Sequence, residues 1–350
     1  MAGESARNII ATGFIADTSD TASEFPSAGR DSSDPAFQAI YWRCIAVFLF
    51  SARLNNPNAE IMLFSNVAAP VIDGIDLGEL CQRLDVLQVA LPLTKRIPGR
   101  ARWGTVFYVL DILDWMMANR PACCFSLFDS DVVVTAPLAP LFDSMETHAF
   151  GGYRMAYPAD HSVNRLTPAQ AAMIVASIDG AKAVPMLPIY GGELFAANMP
   201  LAAAWLPKIA DLWDFTLEHA SDEQAIHTEE HFWSIFFALH TLPIADAHGA
   251  VKRIATYHNF TTTIAGDEDV PAWHLPAEKR LGFADMFARL SRSGFPLAFG
   301  STAFRSLAME IFGIPRRGLA KQLRDSLKRA RRLIARKLAK SRTGIGLDPA

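Results

Sequence analysis

Cysteine is scarce: the chain has four in 350 residues, Cys44, Cys81, Cys123 and Cys124. They form neither a closely spaced disulfide framework nor the paired C-x-x-C spacing of a zinc site, so a reducing, cytoplasmic setting is expected. Long apolar runs are missing as well. The longest, such as Ile45 to Phe50, fall far short of the ~18 residues a membrane span needs, and no bilayer crossing is expected. The opening residues, MAGESARNIIATGF, show no basic leader followed by an apolar stretch, so no signal peptide is expected. No repeat recurs at a fixed period. Against these absences stand 51% hydrophobic and 20% charged residues, enough to build a large core and to exclude disorder.

The net charge of -3 conceals an uneven distribution. Between Arg316 and Arg342 there are twelve Lys or Arg against the single acid Asp325, a local charge of +11, which leaves -14 on the rest of the chain. Leu319, Leu323, Leu327, Ala330, Ile334 and Leu338 recur there every three or four residues, one narrow apolar stripe on a basic helix. Two readings stand side by side: a surface that binds anionic lipid or an acidic partner, and a solvated terminal helix packed on its own acidic body. Nucleic acid is not expected as a partner, because no recognition motif accompanies the charge.

The first half alternates short β-rich runs with helical periodicity, the pattern of a mainly parallel sheet covered on both faces. Residues 8–15 (NIIATGFI) read as the first strand, and Pro35 opens a helix that ends before Asn55-Asn56-Pro57. Residues 60–64 read as a strand, 77–84 as a short helix, 85–91 as a strand and 103–117 as a long apolar-faced helix. Residues 123–128 (CCFSLF) are apolar throughout, as a strand at the centre of a parallel sheet requires. Further on, strands are expected at 149–156, 193–197 and 251–257. A long helix is expected over 200–218, and Thr228 is placed as the N-cap of another reaching His240.

The central strand runs into Asp129-Ser130-Asp131, which puts two carboxylates at the carboxyl end of a sheet strand, where open α/β sheets bind ligands. Two hard oxygen ligands suit Mg²⁺ or Mn²⁺ bridging a diphosphate. With this D-x-D strand about a hundred residues after NIIATGFI, the sequence resembles the nucleotide-sugar glycosyltransferases of the GT-A fold. Three later segments are similar to that family's motifs: Tyr190-Gly-Gly-Glu-Leu-Phe-Ala-Ala-Asn198 to its glycine-bearing strand, Thr228-Glu229-Glu230-His231 to its acidic acceptor-side motif, and Trp273-His274-Leu-Pro-Ala-Glu-Lys279-Arg280 to its late His followed by Lys. The chain departs from the pattern with Ala277 where Gly is usual, Arg280 at the Lys spacing, and Leu281-Gly282 in place of Pro-Trp.

The resemblance implies a GT-A-like, Rossmann-related α/β domain over residues 1–290, followed by a basic helical extension over 291–350. It implies transfer of a sugar from a nucleoside diphosphate to a hydroxyl acceptor, glycan or lipid-linked, and with the basic helix a peripheral place on the inner face of a membrane is expected. Asp129, Asp131 and His274 would hold Mn²⁺ or Mg²⁺. Thr12, Gly13, Arg102, Ser130, Gly191, Gly192 and either Lys279 or Arg280 would meet the sugar nucleotide, with Arg100 near the diphosphate and Asp17 and Asp20 near the nucleoside. Glu229 or Glu230 would act as general base or orient the acceptor, since an attacking hydroxyl must lose its proton; Glu193 is a further candidate. His258 is expected near the site.

Other readings compete. Asp129-Ser-Asp131-Val-Val also fits the nucleophile strand of haloacid dehalogenase-like phosphatases, with Gly266-Asp267-Glu-Asp269 as a later acidic motif, although several βα units precede it here. His227-Thr-Glu-Glu-His231 matches the H-x-x-E-H zinc motif. A non-catalytic protein that keeps the fold and docks on membranes through its basic helix is the third.

Overall fold

A computed structural model of the chain describes residues 8–24, 31–97, 102–180, 185–222, 224–257, 260–316, 318–319, 321–328, 330 and 334. Strand β1 (Asn8–Phe14) leads by a loop to helix α1 (Pro35–Asn55). Asp34 caps that helix by accepting from the Ala36 amide at 2.8 Å, and Pro35 supplies a pre-set first turn. After it come β2 (Glu60–Ser65), a small hairpin of β3 (Val71–Ile72) and β4 (Ile75–Asp76), α2 (Leu77–Arg83) and β5 (Val86–Ala90). Helix α3 (Tyr108–Asn119) starts five residues later than its apolar periodicity suggests, because Trp103 takes a left-handed φ of 56° and residues 103–107 form turns. The chain continues through β6 (Cys124–Phe128), β7 (Val132–Val134), α4 (Ala139–Ser144) and β8 (Phe150–Met155).

The second half holds α5 (Pro168–Asp179), β9 (Ile189–Asn198), α6 (Met199–Ala202), α7 (Leu206–Glu218), α8 (Glu229–Leu239) and β10 (Ile244–Asp246). The single helix expected over 200–218 is interrupted by a 3-10 turn at Ala203–Trp205, and Pro207 then opens α7. Short strands β11 (Val251–Arg253), β12 (Thr256–Tyr257), β13 (Phe260–Thr261) and β14 (Ala272–His274) precede α9 (Gly282–Arg292) and α10 (Ser301–Phe312).

Seven strands form one sheet in the order β10-β8-β9-β6-β1-β2-β5. The pairs β1–β2, β1–β6, β2–β5 and β8–β10 are parallel, and β9 runs antiparallel to both β6 and β8. The architecture is therefore α/β with a mainly parallel sheet, as expected. Side chains alternate across it: Ile10, Ile61 and Leu63 face a core built with α1, while Ile9, Met62 and Phe64 face one built with α3, α5, α7 and α8. Helix α1 is long and apolar enough by length and composition to cross a membrane, yet its Phe48, Leu49 and Phe50 lie at the centre of the first core.

A second sheet, β11-β14-β7, packs beside the first and carries the end of the D-x-D segment. The boundary expected at residue 290 falls inside α9. Phe283, Phe287, Phe304, Ile311 and Phe312 share the core of α1, so the chain stays in the body as far as Ile314. The basic segment follows that point with Lys321 and Asp325 still buried, and its residues from 335 onward lie outside the described residues.

Candidate functional site

Asp129 and Asp131 sit where β6 leaves the middle of the large sheet. Two backbone contacts fix this turn. The Asp129 amide donates to the Glu193 carbonyl at 3.2 Å, and the Leu275 amide donates to the Asp131 carbonyl at 3.0 Å. Strand β7 pairs antiparallel with β14 in a register that sets Val132 opposite His274. Asp131 and His274, 143 positions apart, are thus brought together by sheet pairing, and the ligand atoms of Asp129, Asp131 and His274 all lie within 4.8 Å of one another. His274 Nε2 is 3.4 Å from Asp129 Oδ2 and 3.3 Å from Asp131 Oδ2.

This donor set fits a divalent cation. Two ligands bound at about 2.1 Å on adjacent octahedral positions stand about 3 Å apart, close to the spacing found here. Asp131 and His274 are buried, and among the described residues Asp131 Oδ1 and His274 Nδ1 have no hydrogen-bond partner. Buried polar atoms left in that state call for a partner. Among the described residues this is the one cluster of three or more His, Cys, Asp or Glu able to hold a metal, which removes the basis of the H-x-x-E-H zinc reading. His227 precedes the first turn of α8, and His231 is buried with Nδ1 3.3 Å from Thr228 Oγ1. Thr228 stands at the N-cap position as expected, but its side chain makes no capping bond.

Lys279 completes the cluster. Its Nζ lies 2.5 Å from Asp131 Oδ2, and the ammonium sits 5.4 Å from the ring centroid of Tyr41. Burial would raise the Asp131 carboxyl, but Lys279 and His274 outweigh it and hold that carboxyl well below the usual range. Burial would likewise lower Lys279, and Asp131 reverses this, so the ammonium keeps its charge. His274 follows the same logic and is raised above the ordinary histidine value by Asp131 against the effect of burial. Asp129, half exposed, is raised by lost hydration in the cleft and by the neighbouring Asp131 charge.

A cavity of about 180 Å³ opens beside the cluster. Gly13, Asp129, Ser130, Gly191, Gly192, Glu229 and Glu230 form its polar wall, and Phe14, Tyr41, Tyr108, Phe195 and Trp233 are among its apolar residues. Glu230 accepts from the Gly192 amide at 3.3 Å and from Asn164 Nδ2 at 3.0 Å. Arg253 Nη1 lies 3.7 Å from Glu193 Oε2 and 3.9 Å from Glu230 Oε1. Burial and then the Glu230 charge push Glu229 well above the usual carboxyl range; Glu230 is raised by burial but partly restored by Arg253.

The two glycines serve these acids. A Cβ on Gly191 would fall 2.2 Å from Glu193 Oε2, and one on Gly192 would fall 2.3 Å from Glu229 Oε1. Their bare faces make room for protein carboxylates, where the resemblance assigns them to a sugar.

Several expected contacts do not assemble. Thr12 is buried and donates its hydroxyl to the Phe128 carbonyl at 2.9 Å, locking β1 to β6 outside the cavity wall. Arg102 pairs at the surface with Glu24 at 3.1 Å, and Arg280, half buried, is not part of the wall. Asp17 accepts from Ser23, Ser32 and Arg96 and so ties its own loop together, and Asp20 is exposed. Asp267 pairs with Lys252 and Asp269 with Arg305, away from the D-x-D, which leaves the phosphatase reading without its later acidic motif. Arg100 and His258 lie outside the described residues. Arg253, Asn164 and Tyr41 went unforeseen. Arg253 sits opposite His274 in the β11–β14 pair, and a register between three-residue strands leaves almost no trace in sequence.

No protein-family model matches the chain, and no curated protein matches its sequence. Solved structures similar to it include those of three glycosyltransferases. Mouse xyloside xylosyltransferase 1, in its apo form, is 12% identical with a TM-score of 0.46, over 77% of this chain and 96% of the other. The galactosyltransferase LgtC, solved with donor and acceptor sugar analogs, is 12% identical with a TM-score of 0.44, over 81% of this chain and 95% of the other. The bifunctional glycosyltransferase WbbM is 10% identical with a TM-score of 0.45, over 78% of this chain and 46% of the other.

Proposed function

We propose that the chain is a metal-dependent glycosyltransferase that moves a sugar from a nucleoside diphosphate to a hydroxyl on a glycan or lipid-linked acceptor. The observation that carries this reading is the convergence of Asp129, Asp131, His274 and Lys279 beside a cavity that Asp129, Glu229 and Glu230 line. Asp129, Asp131 and His274 would hold Mn²⁺ or Mg²⁺. That ion, when bound, neutralises the diphosphate and makes it a better leaving group. Lys279 adds a fixed cation on the same side, where charge grows as the bond between the anomeric carbon and the diphosphate oxygen breaks. Gly13 and Ser130 line the space beside it, and Gly191 and Gly192 hold the acids in place.

In the same cavity the incoming hydroxyl forms the new bond to the anomeric carbon and gives up its proton to a carboxylate. Glu230 suits this role better than Glu229. Arg253 helps keep Glu230 ionised, whereas burial and the Glu230 charge keep Glu229 protonated. Arg253 then orients Glu230 and Glu193 together. The scarcity of cysteine supports placing this chemistry in a reducing compartment.

Thermal melts with a panel of nucleotides and nucleotide sugars, each with and without Mn²⁺, test the proposal, since a ligand that binds only the folded chain raises its melting point. Stabilisation by at least one nucleotide sugar that requires Mn²⁺ and is lost in Asp131→Ala is the expected result. No metal-dependent response from any member of the panel overturns it.

A further inference from the structure

The last described segment packs the opposite way round from an ordinary amphipathic helix. Residues 321–328 are helical, and their charged side faces the body. Lys321 is only 2% exposed and bridges Glu278 Oε2 at 2.9 Å and Asp325 Oδ2 at 3.3 Å, while Asp325 is 1% exposed. Arg324 and Lys328 both pair with Asp285 on α9. The apolar stripe points to solvent: Leu319 is 77% exposed, Leu323 66%, Leu327 62% and Ile334 57%. At about 100° per residue Leu323 and Leu327 lie about 40° apart on the helix 321–328, with Lys321 and Lys328 on the far side. Leucines usually turn inward and lysines outward, and this helix reverses the pattern.

We propose that this outward stripe, with the basic residues around it, is a docking face for an anionic lipid bilayer. The proposal stands apart from the sugar-transfer reading. Three observations select this occupant. Charge is the first: besides Lys321, Arg324 and Lys328, which pair with acids of the body or of their own helix, the sequence carries nine further Lys or Arg between residues 316 and 342, and the one acid there, Asp325, is buried. Such a segment is drawn to anionic headgroups, while its leucines enter the boundary between headgroups and acyl chains. The second is shape. A narrow stripe suits a helix lying in a bilayer surface with its other side held by protein. The third excludes a second copy as occupant: two such helices placed stripe to stripe would bring their basic flanks together.

Flotation of the full chain with vesicles of phosphatidylcholine alone, or with about a third phosphatidylglycerol, tests this. The wild-type chain floats with the anionic vesicles at low salt, less so as salt rises, and remains behind with the neutral ones. Leu323→Gln combined with Leu327→Gln lowers that binding by about tenfold or more, and because both residues are exposed the melting temperature stays unchanged. Equal binding by the double variant, or no preference for anionic vesicles, overturns the proposal. So does a concentration-dependent dimer that the double variant disperses in the absence of vesicle binding, since the stripe is then an interface between copies.

Discussion

The Asp131–Lys279 pair lends itself to a quantitative test. Asp131 is 1% exposed, and its carboxylate meets Lys279 and His274 with no water-facing alternative. Replacing it by Asn keeps the shape and removes the charge, which leaves a buried ammonium uncompensated. Breaking such a pair from one side costs about 3–5 kcal/mol. For a chain of this size the cost is a fall in melting temperature of about 4–7 °C, measured in the presence of a chelator so that no metal contributes. Asp129→Asn provides the control: that side chain is 49% exposed and its loss costs about 1 kcal/mol or less. Removing the stranded charge as well, in Asp131→Asn/Lys279→Met, recovers much of the loss because the pair is coupled. The reasoning is refuted if Asp131→Asn melts no lower than Asp129→Asn, or if the double variant melts no higher than the single one.

Glu229 predicts a pH dependence. Its folded-state pKa is raised, so ionising it costs stability once the pH exceeds the unfolded value of about 4.3. Glu229→Gln is therefore expected to melt near wild type at about pH 4.5 and above it at about pH 8, with an unchanged difference between the two counting against the assignment. Thr12→Val loses the hydroxyl bond to the Phe128 carbonyl at a cost of about 1 kcal/mol, and its response to nucleotide sugars stays as in wild type; a weakened response would return Thr12 to the binding site. Lys321→Met releases the segment after Gly318 from Glu278, so limited proteolysis there accelerates severalfold while the body's main melting transition stays in place. Proteolysis at the wild-type rate would show that the anchor lies elsewhere.

How far the sequence alone carried these conclusions depended on the length of the pattern. Strands β1 and β6 and helix α1 are long, apolar runs with turn residues at their ends, and they lie where periodicity places them. The D-x-D was legible because it follows such a strand. Helix α5 was overlooked although its start is marked: Thr167 and Gln170 form a capping box, and Pro168 takes the first turn. Strands β7, β11 and β14 are three residues each, too short for a period-two signal, and their pairing is what brings His274 to Asp131 and Arg253 to Glu230. Lys279 was legible by motif, but its partner was not. The outward turn of Leu323 and Leu327 was equally hidden, because the same stripe would serve a helix packed either way round.

The bare faces of Gly191 and Gly192 also restrict how this chain can change with time. A side chain at position 192 and a long acid at position 229 claim the same space, as do a side chain at 191 and the acid at 193. Either replacement made first meets an occupied volume, whereas shortening the acid first clears the way. The atom met in each case is the far end of a flexible glutamate, so a side chain at 191 or 192 is admitted only as that carboxylate swings out of its present place: the glycine and the position of the acid change together.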